Sequence, residues 1–182
     1  MAFIDIPTIE ALKLLYGPRD ESSGVAVIKH RLLLLASVSP DGFPNVMAFG
    51  AWKAVALDLG GWRFIAYIQS SHYTCELVKK TGLFTINVPP QHMVLKARKC
   101  GSVSGRECDK FERFGLTASS SRSVDAPIVD DCAVFLECKM TRCYPLVATE
   151  LQNEYWGGKR FAFEADIVDS YGREGYADEL AW

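Results

Sequence analysis

Short runs of apolar and β-branched residues recur along most of the chain, and residues typical of turns separate them. Runs of this kind with flanking turn signals are typical of β-strands. They predict strands at residues 25–28, 32–38, 43–49, 52–57, 62–69, 83–88, 133–141, 146–151 and 161–168. Between the second and third of these, Ser39-Pro40-Asp41-Gly42 has the residue order of a tight turn, so this pair of strands is predicted to form a hairpin.

Helical spacing of apolar residues interrupts the strand pattern in a few places. Near the amino terminus it is seen at Ile9, Leu12, Leu15 and Tyr16. This spacing predicts a surface helix with one buried face. After residue 70, Leu77 and Val78 follow at helical spacing, and Gly82 stands where a C-terminal cap belongs.

The pattern is irregular between Pro89 and Pro127, where glycine, serine and charged residues are frequent. Within this segment Asp109 precedes Glu112 by three residues, which matches a capping box at the start of a short helix. Gly115 is expected to end that helix. Long irregular segments in a compact domain are usually functional or mobile, so this segment is a candidate for part of a binding site.

Many short strands, closely spaced turns and few short helices predict a mainly β fold, an antiparallel barrel that is closed or partly closed. Regular alternation of strands and helices, which a doubly wound parallel sheet requires, is absent from the pattern. The 182 residues are predicted to form a single domain, with an N-terminal helix and loop at 1–24 and a C-terminal tail at 170–182.

The amino-acid composition limits the kinds of partner that this protein is expected to bind. Hydrophobic residues make up 49% of the chain, which is enough to fill a sizeable core. Lysine and arginine number 20 against 22 acidic residues, and a net charge of −2 argues against nucleic-acid binding. The amino-terminal residues do not have the pattern of a secretory signal, and the longest apolar run elsewhere, residues 32–36, is too short to cross a bilayer. We therefore expect a cytoplasmic protein without membrane contact.

The six cysteines do not indicate a metal site or a disulfide framework. They stand singly at positions 75, 100, 108, 132, 138 and 143, and no CxxC pair occurs. The three histidines are also scattered singly. This spacing does not match a zinc site, and thiols in the cytoplasm stay reduced.

The most informative stretch for chemistry is the start of the second predicted helix. Small hydroxyl groups and an imidazole cluster there: Ser70, Ser71, His72, Tyr73 and Thr74. A helix N-terminus offers unpaired backbone N–H groups and partial positive charge, so this cluster suits a phosphate group. The alternative is that Ser71 or Thr74 only caps the helix.

Four blocks of the sequence together resemble a known family: DGFPNVMAFGAW, SSHYTCELVKKTGLFTINVP, CGSVSGRECDKFERFGLT and APIVDDCAVFLECKM. In this order they resemble the flavin reductase-like, FMN-binding split-barrel family, and within it the flavoredoxin branch. The resemblance covers roughly residues 25–170, and the second and third blocks are its most specific parts. It implies a split β-barrel, bound FMN and a homodimer with the flavin near the subunit interface.

The resemblance also implies roles for individual residues. The hydroxyl cluster at 70–74 would lie at the flavin phosphate, and Lys110 would add a positive charge there. The isoalloxazine ring would lie along Met47, Ala48, Phe49 and Trp52. The ring edge would be contacted by Asn87, Cys100, Gly101 and Ser104. Trp52, Cys100 and Met47 could instead be core residues, and Asn87 could simply end its strand. No side chain is assigned as a catalytic acid or base.

Two functions remain open at this point. In the first, NAD(P)H gives a hydride to bound FMN, which reduces a flavin or another acceptor. Many family members that use NADH carry a Gly-Asp-His motif after the strand equivalent to 135–140, and this chain lacks it. In the second, the protein is a flavoredoxin-like electron carrier that a partner protein reduces.

Overall fold

The computed structural model describes residues 2–20, 27–147, 154 and 158–180. The strands are β1 (Phe3–Asp5), β2 (Tyr16–Asp20), β3 (Val27–His30), β4 (Leu33–Val38), β5 (Pro44–Phe49), β6 (Trp52–Ala56), β7 (Trp62–Gln69), β8 (Leu83–Val88), β9 (Ala118–Ser120), β10 (Pro127–Val129), β11 (Val134–Pro145) and β12 (Arg160–Arg173). The helices are α1 (Thr8–Leu15), α2 (Tyr73–Thr81), α3 (Val94–Lys99), α4 (Lys110–Phe114) and α5 (Tyr176–Glu179), with a 3₁₀ turn at Gln91–Met93.

One antiparallel sheet organises the domain. Its strands follow the order β5-β4-β8-β11-β12-β7-β6, and β1 pairs with the far end of β12. The two end strands of this order, β5 and β6, are consecutive in the chain and joined only by Gly50 and Ala51. The sheet therefore curls round so that its two ends lie next to each other, as in a barrel left open between two strands. The prediction of a mainly β, antiparallel split barrel is confirmed.

The inside of the curled sheet holds the main core, because alternate residues of each strand face inward. On β4, Leu33 and Leu35 point to this interior and are fully buried. The same cluster collects side chains from the other strands of the sheet, including Phe64, Phe84 and Phe163. Helix α1 packs against it with Ala11, Leu12 and Leu15.

A second apolar cluster lies on the outer face of β4 and β5. Leu34 and Ala36, which alternate with the inward residues of β4, belong to it. The segment between β8 and β11 covers this face and contributes Met93, Ala97, Cys100, Phe111 and Ile128. Because both faces of β4 are buried, its sequence is a continuous apolar run. This packing places the irregular middle third against β5.

The predicted helices are confirmed with small changes at their ends. Helix α1 ends at Leu15, and Tyr16 begins strand β2 instead of continuing the helix. Helix α2 ends at Thr81, and the next residue, Gly82, adopts the left-handed conformation expected of a C-terminal cap. At α4, the Asp109 side chain accepts hydrogen bonds from the backbone N–H groups of Phe111 and Glu112.

The two chain ends are more ordered than predicted. The segment 1–24 was expected to hold only a helix and a loop, but β1 and β2 lie within it. The expected tail at 170–182 is wrong for its first part, because β12 continues to Arg173 and Tyr171 is buried in the outer cluster. Pairing with β1 and burial of Tyr171 and Leu180 hold this segment on the domain.

Some predictions fall wholly or partly outside the described residues. They are the loop at 21–24, residues 25 and 26 of the first predicted strand, residues 148–151 of the predicted strand 146–151, and the last two residues of the chain. Among the described residues no helix is long and apolar enough to cross a membrane. In the same residues no group of three or more His, Cys, Asp or Glu side chains could hold a metal ion.

Candidate functional site

A cavity of about 210 Å³ lies between β5, the N-terminus of α2 and the loop 101–105. Its lining residues are Asn45, Met47, Ala48, Ser71, His72, Tyr73, Thr74, Gly101, Ser102, Val103, Ser104, Gly105 and Lys110. Three segments that are far apart in the sequence therefore meet at one place. We call this space the central cavity.

Helix α2 begins at the central cavity without a side-chain cap. Its N-cap residue is His72, and no side chain accepts a hydrogen bond from the first turn. The Thr74 hydroxyl instead accepts a hydrogen bond from Asn45 Nδ2 at 2.9 Å. Among the described residues neither the Ser71 nor the Thr74 side chain accepts a hydrogen bond from the first turn, so the structure does not show the alternative in which one of them caps the helix. The Cys75 N–H group donates to the carbonyl of His72 at 3.0 Å, whereas no described residue accepts a hydrogen bond from the N–H groups of Tyr73 and Thr74, so these two are available to an anion in the cavity.

Lys110 brings a buried positive charge to the same cavity. Only 5% of its surface is exposed, and Nζ donates a hydrogen bond to the Cys100 carbonyl at 2.9 Å. Among the described residues no carboxylate forms an ion pair with it. Burial lowers the pKa of the Lys110 ammonium group below the usual lysine range. A buried ammonium group without a counter-ion is costly, and an anion in the cavity would relieve that cost.

The local sequence explains why Lys110 is held in this position. Asp109 caps α4, so Lys110 is the first residue of that short helix. The next residue, Phe111, is buried in the outer apolar cluster and anchors the helix to the domain. The side chain of Lys110 is then directed towards the carbonyl of Cys100, at the end of α3.

The loop 101–105 approaches β5 closely at two glycines, and the approach is tightest at Gly105. A Cβ atom on Gly105 would lie 2.1 Å from Asn45 Oδ1, and a Cβ atom on Gly101 would lie 3.2 Å from the Cβ atom of Ala48. Asn45 is 3% exposed, and its Nδ2 donates to Ser37 Oγ as well as to Thr74. Its Oδ1 is buried and has no hydrogen-bond partner among the described residues. A ligand hydroxyl group that donates to Oδ1 would satisfy it.

A second cavity of about 130 Å³ adjoins the central cavity at the end of β5. The two share Met47, Ala48 and His72, and we call the smaller one the strand-end cavity. Its remaining lining residues are Phe49, Gly50, Ala51, Tyr67, Gln69 and Arg160. Arg160 and Gln69 are paired across β12 and β7, so their side chains lie on one face of the sheet.

His72 lies at the boundary of the two cavities. Burial lowers the pKa of its imidazole, and the positive charges of Lys110 and Arg160 lower it further. The imidazole is therefore neutral at neutral pH and can donate one hydrogen bond and accept another. The charges of Lys110 and Arg160 make this part of the surface favourable for a negatively charged ligand, to which the neutral His72 can donate a hydrogen bond.

Most of the predicted site residues meet in these cavities. The central cavity contains Met47, Ala48, Ser71, His72, Tyr73, Thr74, Gly101, Ser104 and Lys110. Phe49 lines the strand-end cavity, although its side chain also packs in the main core. Ser70 lies outside both cavities. It is exposed, and its backbone N–H group donates to the carbonyl of Lys159.

Three predicted contacts are corrected by the structure. Trp52 is buried in the main core, where its ring packs 4.8 Å from that of Tyr16 and 5.6 Å from that of Phe64. Asn87 is fully buried; its Nδ2 donates to the Leu34 carbonyl and its Oδ1 accepts from the Val129 N–H group. The Cys100 thiol belongs to the outer cluster, and only the carbonyl of that residue reaches Lys110. Strand and helix packing turns all three side chains away from the two cavities.

Sequence reasoning missed several lining residues. In the central cavity these are Asn45, Ser102, Val103 and Gly105, and in the strand-end cavity they are Gly50, Ala51, Tyr67, Gln69 and Arg160. Asn45, Ser102, Val103 and Gly105 belong to sequence blocks already singled out, so they could have been found. Arg160 could not, since it reaches the site only through the pairing of β12 with β7.

Comparisons with known proteins identify the family to which this fold belongs. The family model for the flavin reductase like domain matches residues 26–181. An uncharacterized protein of Archaeoglobus fulgidus is 32% identical over 99 residues, which cover 54% of this chain and 55% of that protein. The chain thus spans about half the length of this curated relative.

Two solved structures have a similar fold. The flavoredoxin of Methanosarcina acetivorans has a TM-score of 0.65 and 25% identity, and the match covers 79% of this chain and 69% of that chain. An FMN-binding domain of a flavin reductases-like enzyme from Shewanella baltica has a TM-score of 0.67 and 20% identity. This match covers 94% of the present chain and 77% of the Shewanella chain.

Proposed function

The chain belongs to the flavin reductase like domain family, and from this membership we propose that it is an FMN-binding oxidoreductase. In this proposal NAD(P)H is the electron donor, and a free flavin or another compound is the acceptor. Bound FMN would supply the hydride and single-electron chemistry that protein side chains lack. The residues of the chain bind the cofactor, orient it and set the charge around it.

The observation that carries the proposal is the anion site in the central cavity. Lys110 supplies a buried positive charge there, and the uncapped N-terminus of α2 faces the same space. A phosphate group has the charge and the acceptor oxygens to use both. The hydroxyl group of Ser71 also lines this cavity and can donate to a phosphate oxygen.

The remaining parts of the site suit the rest of FMN. The buried Oδ1 of Asn45 can accept a hydrogen bond from a hydroxyl group of the ribityl chain. Met47, Ala48 and Gly101 line the same cavity with small or apolar surface, which suits one face of a flat ring system. Each cavity alone is smaller than the roughly 300–1,000 Å³ of a typical ligand pocket. Since the central and strand-end cavities share three residues, the proposal places FMN across both.

A second candidate function is electron transfer without direct use of NAD(P)H. The segment after β11 has no Gly-Asp-His motif, and flavoredoxin is among the similar solved structures. In this alternative a partner protein delivers electrons to bound FMN, and the chain passes them to a second partner. Both candidates use the same FMN site and differ only in the donor.

Anaerobic addition of NADH and then NADPH to the FMN-loaded protein separates the two candidates. We expect the flavin absorbance near its visible maximum to bleach promptly and to recover when an acceptor is added. If neither nucleotide changes the flavin absorbance but a chemical reductant bleaches it, the electron-carrier function is favoured. Failure of the protein to bind FMN at all would contradict both candidates.

A further inference from the structure

Positive charge is concentrated on helix α3 and around it. The helix contains Lys96, Arg98 and Lys99 and no acidic residue. Residues 89–106 hold four lysine and arginine residues and no Asp or Glu, whereas the other 16 basic residues of the chain are outnumbered by its 22 acidic residues. This segment is therefore locally positive in a chain that is negative elsewhere.

The exposed residues of α3 share one face of the helix. Leu95, Arg98 and Lys99 are exposed, and their spacing of three and four positions makes their side chains neighbours. Ala97 and the following Cys100 are fully buried on the other side, in the outer apolar cluster. We call Leu95, Arg98 and Lys99 the basic face.

The cations of the basic face are available to a partner. Within the part of the chain that the structure describes, neither Arg98 nor Lys99 forms an ion pair. Cations at the C-terminal end of a helix suit the helix dipole, which leaves their charge directed to solvent. Leu95, 73% exposed beside them, adds an apolar contact to a surface that is otherwise charged.

A short, fixed piece of chain joins the basic face to the central cavity. Gly101, which lines the cavity, follows α3 after one residue, and the carbonyl of that residue, Cys100, accepts the hydrogen bond from Lys110. The carbonyl of Lys99 accepts hydrogen bonds from the N–H group of Ser102 at 3.1 Å and from its hydroxyl group at 2.8 Å. A protein bound to the basic face would therefore lie close to the proposed FMN site.

We propose that the basic face binds a small acidic protein that exchanges electrons with FMN one at a time. The proposal rests on the proposed function, because it requires FMN in the central and strand-end cavities. Opposite charges steer such a partner to this surface and raise the rate of association. When two reduced partner molecules give one electron each, FMN takes up both electrons and one proton from water, and two oxidised partner molecules leave.

Two other occupants suit the basic face less well. In a symmetric dimer built on this face, the positive charges of the two copies would meet and repel each other. Anionic lipids attract cations, but helices that lie on membranes bury a long apolar face, and α3 has six residues with Leu95 as its exposed apolar side chain. The charge and the small size of the face together favour an acidic protein.

The test uses the FMN-loaded protein and a reduced plant-type [2Fe–2S] ferredoxin, which is an acidic one-electron carrier. Anaerobic stopped-flow absorbance gives the second-order rate constant for reduction of the flavin at several salt concentrations. We expect this rate constant to fall about tenfold or more between low salt and about 0.5 M salt, because salt screens the attraction between the two proteins.

The decisive variant combines Arg98→Glu with Lys99→Glu. Lys53→Glu combined with Lys139→Glu is the matched control, because it changes the net charge equally at two exposed lysines that line neither the central nor the strand-end cavity. At low salt we expect the first variant to lower the rate constant about tenfold or more, and the control to change it less than about twofold. FMN affinity and bleaching by dithionite should be the same in both variants as in the wild type.

The proposal is overturned if ferredoxin leaves the bound FMN oxidised although dithionite bleaches it, or if the rate constant does not depend on salt. It is also overturned if the two double variants lower the rate constant equally. Binding of anionic-lipid vesicles or duplex DNA that requires Arg98 and Lys99, with no effect of these residues on the rate constant, would overturn it in favour of those partners. Absence of FMN binding would instead contradict the proposed function on which this inference rests.

Discussion

At the scale of single residues, the proposed anion site depends most on Lys110. A lysine buried to this degree normally has a carboxylate partner, and the described residues supply only the carbonyl of Cys100. Burying the ammonium group without an anion reduces the stability of the protein. The same loss of solvation lowers the pKa of Lys110. The residue therefore contributes more to binding an anion than to holding the fold together.

This lowered pKa predicts how FMN affinity depends on pH. If the phosphate of FMN binds beside Lys110, it raises the pKa of the ammonium group in the complex. FMN affinity is then greatest at pH values where Lys110 of the free protein is protonated. Affinity should begin to fall as the pH passes the lowered pKa of the free protein, before ordinary lysines titrate at about 10.4. Fluorescence titration of FMN across the alkaline range measures this effect. In Lys110→Met the FMN affinity should be weaker and should no longer decrease in this pH range. A pH profile identical to that of the wild type would refute the assignment of Lys110 to the phosphate.

At the scale of elements, the site depends on the close approach of the loop 101–105 to β5. Asn45 is fixed by hydrogen bonds to Ser37 and Thr74, so it joins β4, β5 and α2 beneath the loop. Gly105 lies directly against its Oδ1 atom. The contact limits how closely the loop approaches β5, because Asn45 cannot move away from Gly105 without breaking one of these hydrogen bonds.

Gly105→Ala tests this contact. The new Cβ atom would lie 2.1 Å from Asn45 Oδ1, so we expect a loss of about 1–3 kcal/mol in the free energy of unfolding in urea. Gly50→Ala is a suitable control for stability, since a Cβ atom there would have no neighbour within 4 Å. If both substitutions changed the free energy of unfolding equally, the loop would tolerate a wider separation from β5.

Local signals explain which elements could be predicted from the sequence. The helix at 73–81, the cap at Asp109 and the turn at 39–42 each depend on residues close together in the chain. Trp52 was misplaced because the direction of a strand side chain depends on register, and a shift of one residue reverses it. Arg160 and Tyr67 reach the site only through pairing between distant strands, which a single sequence does not reveal.

At the scale of the whole molecule, the end strands of the sheet lie beside the proposed flavin site. Within the described residues β5 pairs only with β4, and its other edge is next to the central and strand-end cavities. An unpaired strand edge is a common place for a second chain to bind. The family resemblance implies a homodimer with the flavin near the subunit interface, and we retain this as a proposal.

If FMN lies at a subunit interface, its binding must stabilise the dimer by linkage. Sedimentation equilibrium with and without saturating FMN measures the dissociation constant of the dimer. We expect a lower dissociation constant with FMN, and no such effect in Lys110→Met at an FMN concentration that leaves this variant unliganded. A monomer that binds FMN as tightly as the dimer would rule out an interfacial site.

The central claim is that the central cavity binds the phosphate group of FMN through Lys110, and one comparison tests it most directly. FMN is titrated into the flavin-free wild type, Lys110→Met and Lys96→Met at neutral pH. Lys96 is the matched control because its Nζ also donates to a single main-chain carbonyl, that of Gly115, but does not line the cavity. We expect Lys110→Met to weaken FMN binding by about 1–3 kcal/mol, roughly 5- to 150-fold in Kd, and Lys96→Met to leave it unchanged. Equal affinities of the wild type and Lys110→Met for FMN would contradict the account.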